Sequence, residues 1–138
     1  MKEIVGFTCS CFDLLHAGHV IMLRESKELC SKLIVGLQTD PTIDRPDKNE
    51  PVQSLMDRSE QLDAIKYVDQ ILLYETEGEL YTLLKNLSPD LRFIGADWKD
   101  KPFTGHDLPI EVYYTNRYGH STTKLRSEVW RAENAKLN

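Results

Sequence analysis

Residues 4–19 read Ile4-Val5-Gly6-Phe7-Thr8-Cys9-Ser10-Cys11-Phe12-Asp13-Leu14-Leu15-His16-Ala17-Gly18-His19, and this stretch predicts a strand, a loop and the start of a helix. Its first six residues are mostly apolar or β-branched, which favours a strand. Apolar residues at helical spacing follow from Val20 to Cys30. A strand that leads through a short loop into a helix is typical of an α/β fold.

Two histidines mark the point where this helix begins. His16 and His19 lie three residues apart, so a helix projects them from nearly the same side. Gly18 between them has no Cβ and lets a ligand approach the backbone. A helix N-terminus also offers free N–H groups and a partial positive charge to an anion. A histidine pair alone would equally suit a polar loop or a metal pair, but the glycine and the strand-to-helix context favour a triphosphate pocket, and we assign no metal ligand.

The rest of the chain repeats the alternation of strands and helices. Further strands are predicted at residues 33–37, 71–73, 91–95 and 110–114, and helices at about 19–30, 54–68, 77–87 and from Ser121 onward. The fold class is therefore α/β, a single Rossmann-like domain over residues 1–138 with a five-stranded, largely parallel sheet flanked by helices. Ligands of such sheets bind at the carboxyl ends of the strands. The loops there are predicted at residues 9–19, 39–53, 95–107 and 115–123.

Composition limits the classes of function. The chain has 138 residues and a formal net charge of −5, which argues against nucleic acid as a partner. Its three cysteines are an odd number without the spacing of a zinc site or a redox pair, as in a reduced, cytoplasmic protein. Neither a signal peptide nor an apolar run of membrane-spanning length is evident, so we expect no membrane partner.

Several further polar residues have both a structural and a functional interpretation. Ser121, Thr122 and Thr123 predict a helix N-terminus whose hydroxyls and amides also suit phosphates. Lys48 is either a solvated loop lysine or a ligand of the reacting phosphates. Arg58 either pairs with a nearby carboxylate or binds a phosphate-bearing acceptor.

The motif His16-Ala17-Gly18-His19 resembles the His-x-Gly-His signature of the cytidylyltransferase-like nucleotidyltransferases. The resemblance extends over nearly the whole chain, through Arg58, Tyr67-Val68-Asp69, Gly95-Ala96-Asp97-Trp98 and Ser121-Thr122-Thr123-Lys124. Among the subfamilies the chain is most similar to glycerol-3-phosphate cytidylyltransferase. The resemblance implies that an acceptor phosphate attacks the α-phosphorus of CTP, with Mg²⁺, to give a CDP-linked product and pyrophosphate. Relatives of this kind are commonly homodimers.

The resemblance also assigns roles to residues. The catalytic residues would be His16, His19, Lys48, Ser121 and Thr122. The nucleotide would be bound by Cys9, Ser10, Cys11, Phe12, Asp13, Gly18, Asp97, Arg117 and Thr123, and the acceptor by Arg58 and Lys48. Asp13 would orient the first loop, and Asp97 would read the base or the ribose.

The chain departs from the family pattern at several positions. Ser10-Cys11 replaces Gly-Thr before Phe12-Asp13, Ala96 replaces an aspartate, and Asn116 stands at the signature arginine position, with Arg117 one residue later. These departures leave phosphate handling intact and indicate a shift in substrate. Two alternatives therefore stay open: an adenylyltransferase that uses ATP with a sugar-phosphate or flavin-type acceptor, and a nucleotide-binding protein without turnover.

Overall fold

The computed structural model describes residues 2–116 and 118–137, which form a five-stranded sheet in the order β3-β2-β1-β4-β5. All four pairings between neighbouring strands are parallel. The strands are β1 (Val5–Ser10), β2 (Lys32–Gln38), β3 (Gln70–Tyr74), β4 (Leu91–Gly95) and β5 (Glu111–Thr115). The helices are α1 (Ala17–Glu28), α2 (Leu55–Asp63), α3 (Glu77–Leu87) and α4 (Thr122–Ala135), with a 3₁₀ turn at Ala96–Trp98. The predicted α/β fold with a parallel sheet is confirmed.

Helices cover both faces of the sheet and create two apolar cores. Alternate residues of β2 point to opposite faces, so Leu33 packs with Leu23 of α1 and Leu62 of α2. Ile34 packs on the other face with Leu84 of α3. Burial of each such side chain stabilises the fold by about 1.5–3 kcal/mol. Burial on both faces explains why β2 reads as a continuous apolar run.

The second helix is shorter than its sequence pattern predicts. We expected a helix over residues 54–68, but α2 ends at Asp63. Asp69 fixes the chain beyond it, because its backbone N–H donates to the Leu33 carbonyl at 3.0 Å and its carboxylate accepts from the Leu33 N–H at 2.7 Å. The chain must turn to make these bonds and enter β3. Val68 and Ile65 reach the core from this turn instead of from a helix.

The strand order reverses between β1 and β4. The chain first adds β2 and β3 on one side of β1, and it then crosses to place β4 and β5 on the other side. Such a reversal separates the loops at the carboxyl ends of the two central strands and opens a crevice between them. Among the described residues, no helix is long and apolar enough to cross a membrane.

Candidate active site

A cleft of about 1070 Å³ opens at the carboxyl ends of β1, β4 and β5, where the strand order reverses. The loops predicted for this edge all contribute to its walls. The predicted site residues that line it are Cys9, Ser10, Cys11, Asp13, His16, Gly18, His19, Lys48, Ser121, Thr122 and Thr123. We call the region around His16, Gly18, His19, Ser121 and Thr122 the histidine part of the cleft.

The two histidines hold each other in place at the start of α1. His16 is the N-cap residue, and its Nδ1 accepts a hydrogen bond from the Gly18 N–H at 3.0 Å. The backbone N–H of His16 in turn donates to Nδ1 of His19 at 3.1 Å. This reciprocal pair is a capping box built from imidazoles, and it satisfies two backbone donors at the helix start.

The same hydrogen bonds determine which ring nitrogen carries the proton. A nitrogen that accepts a hydrogen bond from an amide is unprotonated, so in the neutral ring the proton is on Nε2. Both histidines are therefore Nε2–H donors. Burial, and secondly the charge of His120, lower the pKa of His16, which favours this neutral form.

Thr122 joins the start of α4 to the histidines. Its Oγ1 lies 3.3 Å from Nε2 of His16 and donates to the carbonyl of Asp13 at 3.3 Å. Ser121 is the N-cap of α4, and its hydroxyl accepts from the Lys124 N–H at 3.0 Å. The hydroxyl of Ser121 thus has the structural capping role, whereas that of Thr122 faces the histidine. Two helix N-termini meet at this point, which favours bound anions.

His120, a residue that the motif reading missed, explains why position 18 is glycine. A Cβ on Gly18 would lie 2.4 Å from Cβ of His120 and 2.8 Å from Cε1 of His16. Glycine is therefore required here for the contact between the α1 start and the segment before α4, in addition to any approach of a ligand. The sequence signal for His120 was its position directly before Ser121 and Thr122, which were predicted site residues.

Asp13 is a loop-positioning residue. Its side chain is buried, and its carboxylate accepts from the N–H groups of Val52 and Gln53, both at 3.0 Å. Arg126 of α4 lies 3.6 Å from the same carboxylate. The expectation that Asp13 orients the first loop agrees with these contacts, because they fasten that loop to the segment before α2.

Residues 7–128 match the family model for cytidylyltransferase-like proteins, a range that runs from the first strand into the last helix. The chain belongs to this family. The prediction of a nucleotidyltransferase of the His-x-Gly-His type is thereby confirmed.

Two relatives, both HldE proteins, agree with this membership. The bifunctional protein HldE of Campylobacter concisus is 36% identical over 135 residues, which are 96% of this chain and 28% of the relative. HldE of Caulobacter vibrioides is 37% identical over 127 residues, 88% of this chain and 26% of the relative. The cytidylyltransferase-like chain thus spans little more than a quarter of these relatives' length.

Solved structures show the same fold. A lipopolysaccharide core biosynthesis protein from Thermoplasma volcanium has a TM-score of 0.66 and 26% identity, and the match covers 83% of this chain and 96% of that one. Pantothenate synthetase from Thermus thermophilus has a TM-score of 0.59 at 16% identity, with 84% and 56% covered, and this likeness concerns the fold alone.

Arg58 does not lie where the acceptor-binding prediction put it. Only 2% of its surface is exposed, and it does not line the cleft. Its guanidinium donates to the carbonyls of Cys11 at 2.9 Å, Gln38 at 2.7 Å and Thr39 at 2.6 Å, and its Nε donates to that of Gln53 at 3.2 Å. We correct the prediction: Arg58 fastens the loop after β1 to both ends of the connection between β2 and α2.

Four other predicted site residues need separate comment. The Phe12 side chain is in the core, and its ring supports that of His19 at 5.4 Å between centroids. Asp97 is exposed in the 3₁₀ turn and does not line the cleft, whereas the neighbouring Trp98 does. Arg117 lies outside the described residues. Lys48 lines the cleft from an exposed loop, so its predicted role stays a prediction.

Apart from Cys9, the residues of a second part of the cleft were not predicted from the sequence. It lies on the α3 side of the sheet, and we call it the α3 part of the cleft; it is lined by Cys9, Arg45, Tyr74, Glu77, Arg92 and Thr104. Burial raises the pKa of the Cys9 thiol, and the neighbouring Arg92 opposes this rise. The available signal was Arg92 itself, a charged residue within an otherwise apolar strand.

Proposed function

We propose that this chain transfers the adenylyl group of ATP to the phosphate of a small sugar phosphate and releases pyrophosphate. The observation that carries the proposal is the convergence of two imidazole Nε2–H donors with the N-termini of α1 and α4 in the histidine part of the cleft. These groups suit a triphosphate, because each offers positive potential or a hydrogen-bond donor to a phosphate oxygen.

The reaction needs no nucleophile from the protein. An oxygen of the acceptor phosphate forms a bond to the α-phosphorus, the bond from the α-phosphorus to the bridging oxygen breaks, and pyrophosphate leaves with that electron pair. His16 and His19 would donate hydrogen bonds to phosphate oxygens as these gain charge. Such transfers depend on positioning and on charge stabilisation by preorganised donors.

Kinship and sequence departures favour ATP and a sugar phosphate over CTP and glycerol 3-phosphate. The relatives at 36–37% identity are HldE proteins, and a structural relative at 26% identity is a lipopolysaccharide core biosynthesis protein. Lipopolysaccharide cores are built from sugars, which supports a sugar-phosphate acceptor. Ala96 and Asn116 also differ from the pattern of the glycerol-3-phosphate enzymes.

CTP is the second candidate nucleotide, favoured by the family model itself, which describes cytidylyltransferase-like proteins. A matrix of initial rates decides between the two. Pyrophosphate release is measured with ATP, CTP, GTP and UTP against six- and seven-carbon sugar phosphates, glycerol 3-phosphate and a flavin phosphate. We expect turnover with ATP and a sugar phosphate. Turnover confined to CTP would overturn the nucleotide assignment, and nucleotide binding without any pyrophosphate would support the silent alternative.

Mg²⁺ stays a proposal. Among residues 2–116 and 118–137, no group of three histidine, cysteine or acidic side chains is placed to hold a metal ion. The Asp13 carboxylate is already bonded to two amides. The side chains thus do not form a protein cage for Mg²⁺, and we derive no step through the metal. Because Mg²⁺ commonly enters with nucleotide phosphates, we expect chelation by EDTA to abolish pyrophosphate release.

The proposal also covers the oligomeric state and the cellular location. We propose a homodimer, supported by α4, which has no buried residue and exposes 66% of Trp130 and 56% of Val129. Light scattering on the purified chain measures the mass directly, and a monomer at micromolar concentration would refute the dimer. We also propose a cytoplasmic location, where ATP is available.

A further inference from the structure

A buried arginine in the α3 part of the cleft has no ionic partner. Arg92 is the second residue of β4, paired with Phe7 of β1 and Val112 of β5, and only 4% of its surface is exposed. None of the carboxylates that the structure describes forms an ion pair with it. Placing an unpaired charge in the interior costs several kcal/mol, so this arrangement calls for a compensating anion.

The guanidinium is held rigidly, but one of its donors is unused. Its Nη1 donates to the Thr104 carbonyl, and its plane lies over the ring of Phe103 at 5.0 Å from the centroid. Its charge also opposes the rise that burial causes in the pKa of the Cys9 thiol, near the carboxyl end of β1. Its Nε is buried and has no hydrogen-bond partner among the described residues. A fixed guanidinium that lines the cleft without an ion pair among the described residues is suited to an oxyanion ligand.

A second arginine of the α3 part of the cleft, Arg45, also has a buried Nε, although it is ion-paired. Arg45 lies 3.0 Å from a carboxylate oxygen of Glu77, and it donates to the side-chain oxygen of Gln38 at 3.0 Å. Its Nε is likewise buried without a partner among the described residues. Glu77 is fully engaged, since it pairs with Arg45 and accepts from the Thr104 hydroxyl at 2.8 Å. It is therefore not a counter-ion for Arg92.

We propose that the α3 part of the cleft binds the phosphate of the acceptor, with Arg92 as its principal ligand and Arg45 as a second one. The proposal rests on the proposed function and adds a specificity-determining residue to it. Arg92 and Cys9 line the same cleft, and Cys9 is one residue from the end of β1, where the chain turns toward the histidine part. The histidine part of the same cleft then holds the triphosphate whose α-phosphorus the acceptor phosphate attacks.

The first test separates acceptor binding from nucleotide binding. Arg92→Met removes the charge and keeps a long side chain, and Arg92→Lys keeps the charge without the planar fork. In pyrophosphate-release assays we expect Arg92→Met to raise the acceptor KM at least tenfold, with the nucleotide KM within twofold of wild type. Arg24→Met, on the exposed face of α1, should leave both values unchanged. An acceptor KM within twofold of wild type, or an equal rise in both KM values, would overturn the proposal.

The second test distinguishes a failure of this site from a failure of the proposed reaction. A hexose 1-phosphate and inorganic phosphate are titrated calorimetrically into protein saturated with α,β-methylene ATP, which has no cleavable α–β bridge. If no acceptor gives pyrophosphate but both probes bind wild type and Arg24→Met at least tenfold more tightly than Arg92→Met, the site is supported and the reaction is not. Equal binding to all three proteins would refute the site.

A third variant covers the case in which Arg92→Met does not fold. Arg45 is partly exposed in a loop, so Arg45→Gln changes the same part of the cleft without opening the core. With Arg92→Lys and Arg45→Gln we expect acceptor KM values at least threefold above wild type and unchanged nucleotide KM values. Wild-type acceptor KM values in both variants would contradict the proposal.

Discussion

The two ring nitrogens of His16 have different tasks. Nδ1 accepts the Gly18 N–H and caps α1, whereas Nε2 faces Thr122 in the cleft. A capping residue is normally serine, threonine, aspartate or asparagine, so histidine at this position suggests a requirement beyond capping. That requirement is a donor that reaches past the helix start toward a phosphate.

His16→Asn separates capping from catalysis. Asparagine is among the best N-cap residues, so the free energy of unfolding should change by less than about 1 kcal/mol. Loss of the Nε2–H donor should lower kcat by about 10²–10³, the usual cost of one oxyanion donor. Urea unfolding and steady-state rates measure the two quantities. A large loss of stability with wild-type kcat would contradict the catalytic role.

Protonation of His16 should destabilise the protein at mildly acidic pH. Burial and His120 lower the pKa of His16 in the folded state below the value of about 6.5 expected for the unfolded chain. The folded state therefore binds fewer protons, and the contribution of His16, present above about pH 6.5, is lost as the pH falls below this value and through the lower pKa of the folded state. Unfolding free energies at pH 7.5 and 5.5 should differ less in His16→Asn than in wild type. Equal differences would refute the shift.

Gly18→Ala should disturb the packing between the start of α1 and the segment before α4. The added Cβ meets His120 and His16 at distances that no real contact tolerates. We expect a loss of about 1–3 kcal/mol, as for other overpacked sites. Gly95→Ala is the matched control, because its Cβ would have no atom within 4 Å. Urea unfolding of both variants measures the difference, and equal stability would show that the contact is unimportant.

Arg58 connects elements instead of binding a ligand. Its four hydrogen bonds reach the loop after β1, the end of β2 and the segment before α2. These loops form the floor and one wall of the cleft. Because a guanidinium has five donors in a fixed plane, it holds several carbonyls in one arrangement, which a lysine cannot do.

Arg58→Met should act mainly on stability. It leaves buried carbonyls without donors, which cost about 1–3 kcal/mol each when unsatisfied. We expect the free energy of unfolding to fall by about 3 kcal/mol or more, whereas the exposed Arg24→Met should change it by less than about 0.5 kcal/mol. An unchanged unfolding curve with a raised acceptor KM would restore the acceptor-binding prediction.

The elements of this fold are well predicted from the sequence because their periodicities are strong. The apolar run of β2, the spacing of Leu80 and Leu84 in α3, and the N-cap at Ser121 are all local signals. The end of α2 is not local, since it depends on Asp69 binding Leu33 of another strand. Burial of Arg58 and Arg92 is likewise set by loops distant in sequence, so their residue type alone did not assign their roles.

At the scale of the whole molecule, charge and size restrict the function. The chain has a net charge of −5, yet its cleft is lined by cationic and hydrogen-bond donor groups that suit a triphosphate and an acceptor phosphate. The histidine part and the α3 part lie on two sides of one cleft. The chain also spans about a quarter of the bifunctional HldE relatives, so the match concerns one portion of them.

Transfer of label from ATP to a sugar phosphate follows the broken bond itself. The chain is incubated with a hexose or heptose phosphate and ATP labelled with ³²P in the α or the γ position. We expect the α label in a sugar nucleotide and the γ label in pyrophosphate, with both products reduced about 10²-fold or more in His16→Asn. Label from the γ position in the sugar, or equal product with His16→Asn, would contradict nucleotidyl transfer at this cleft.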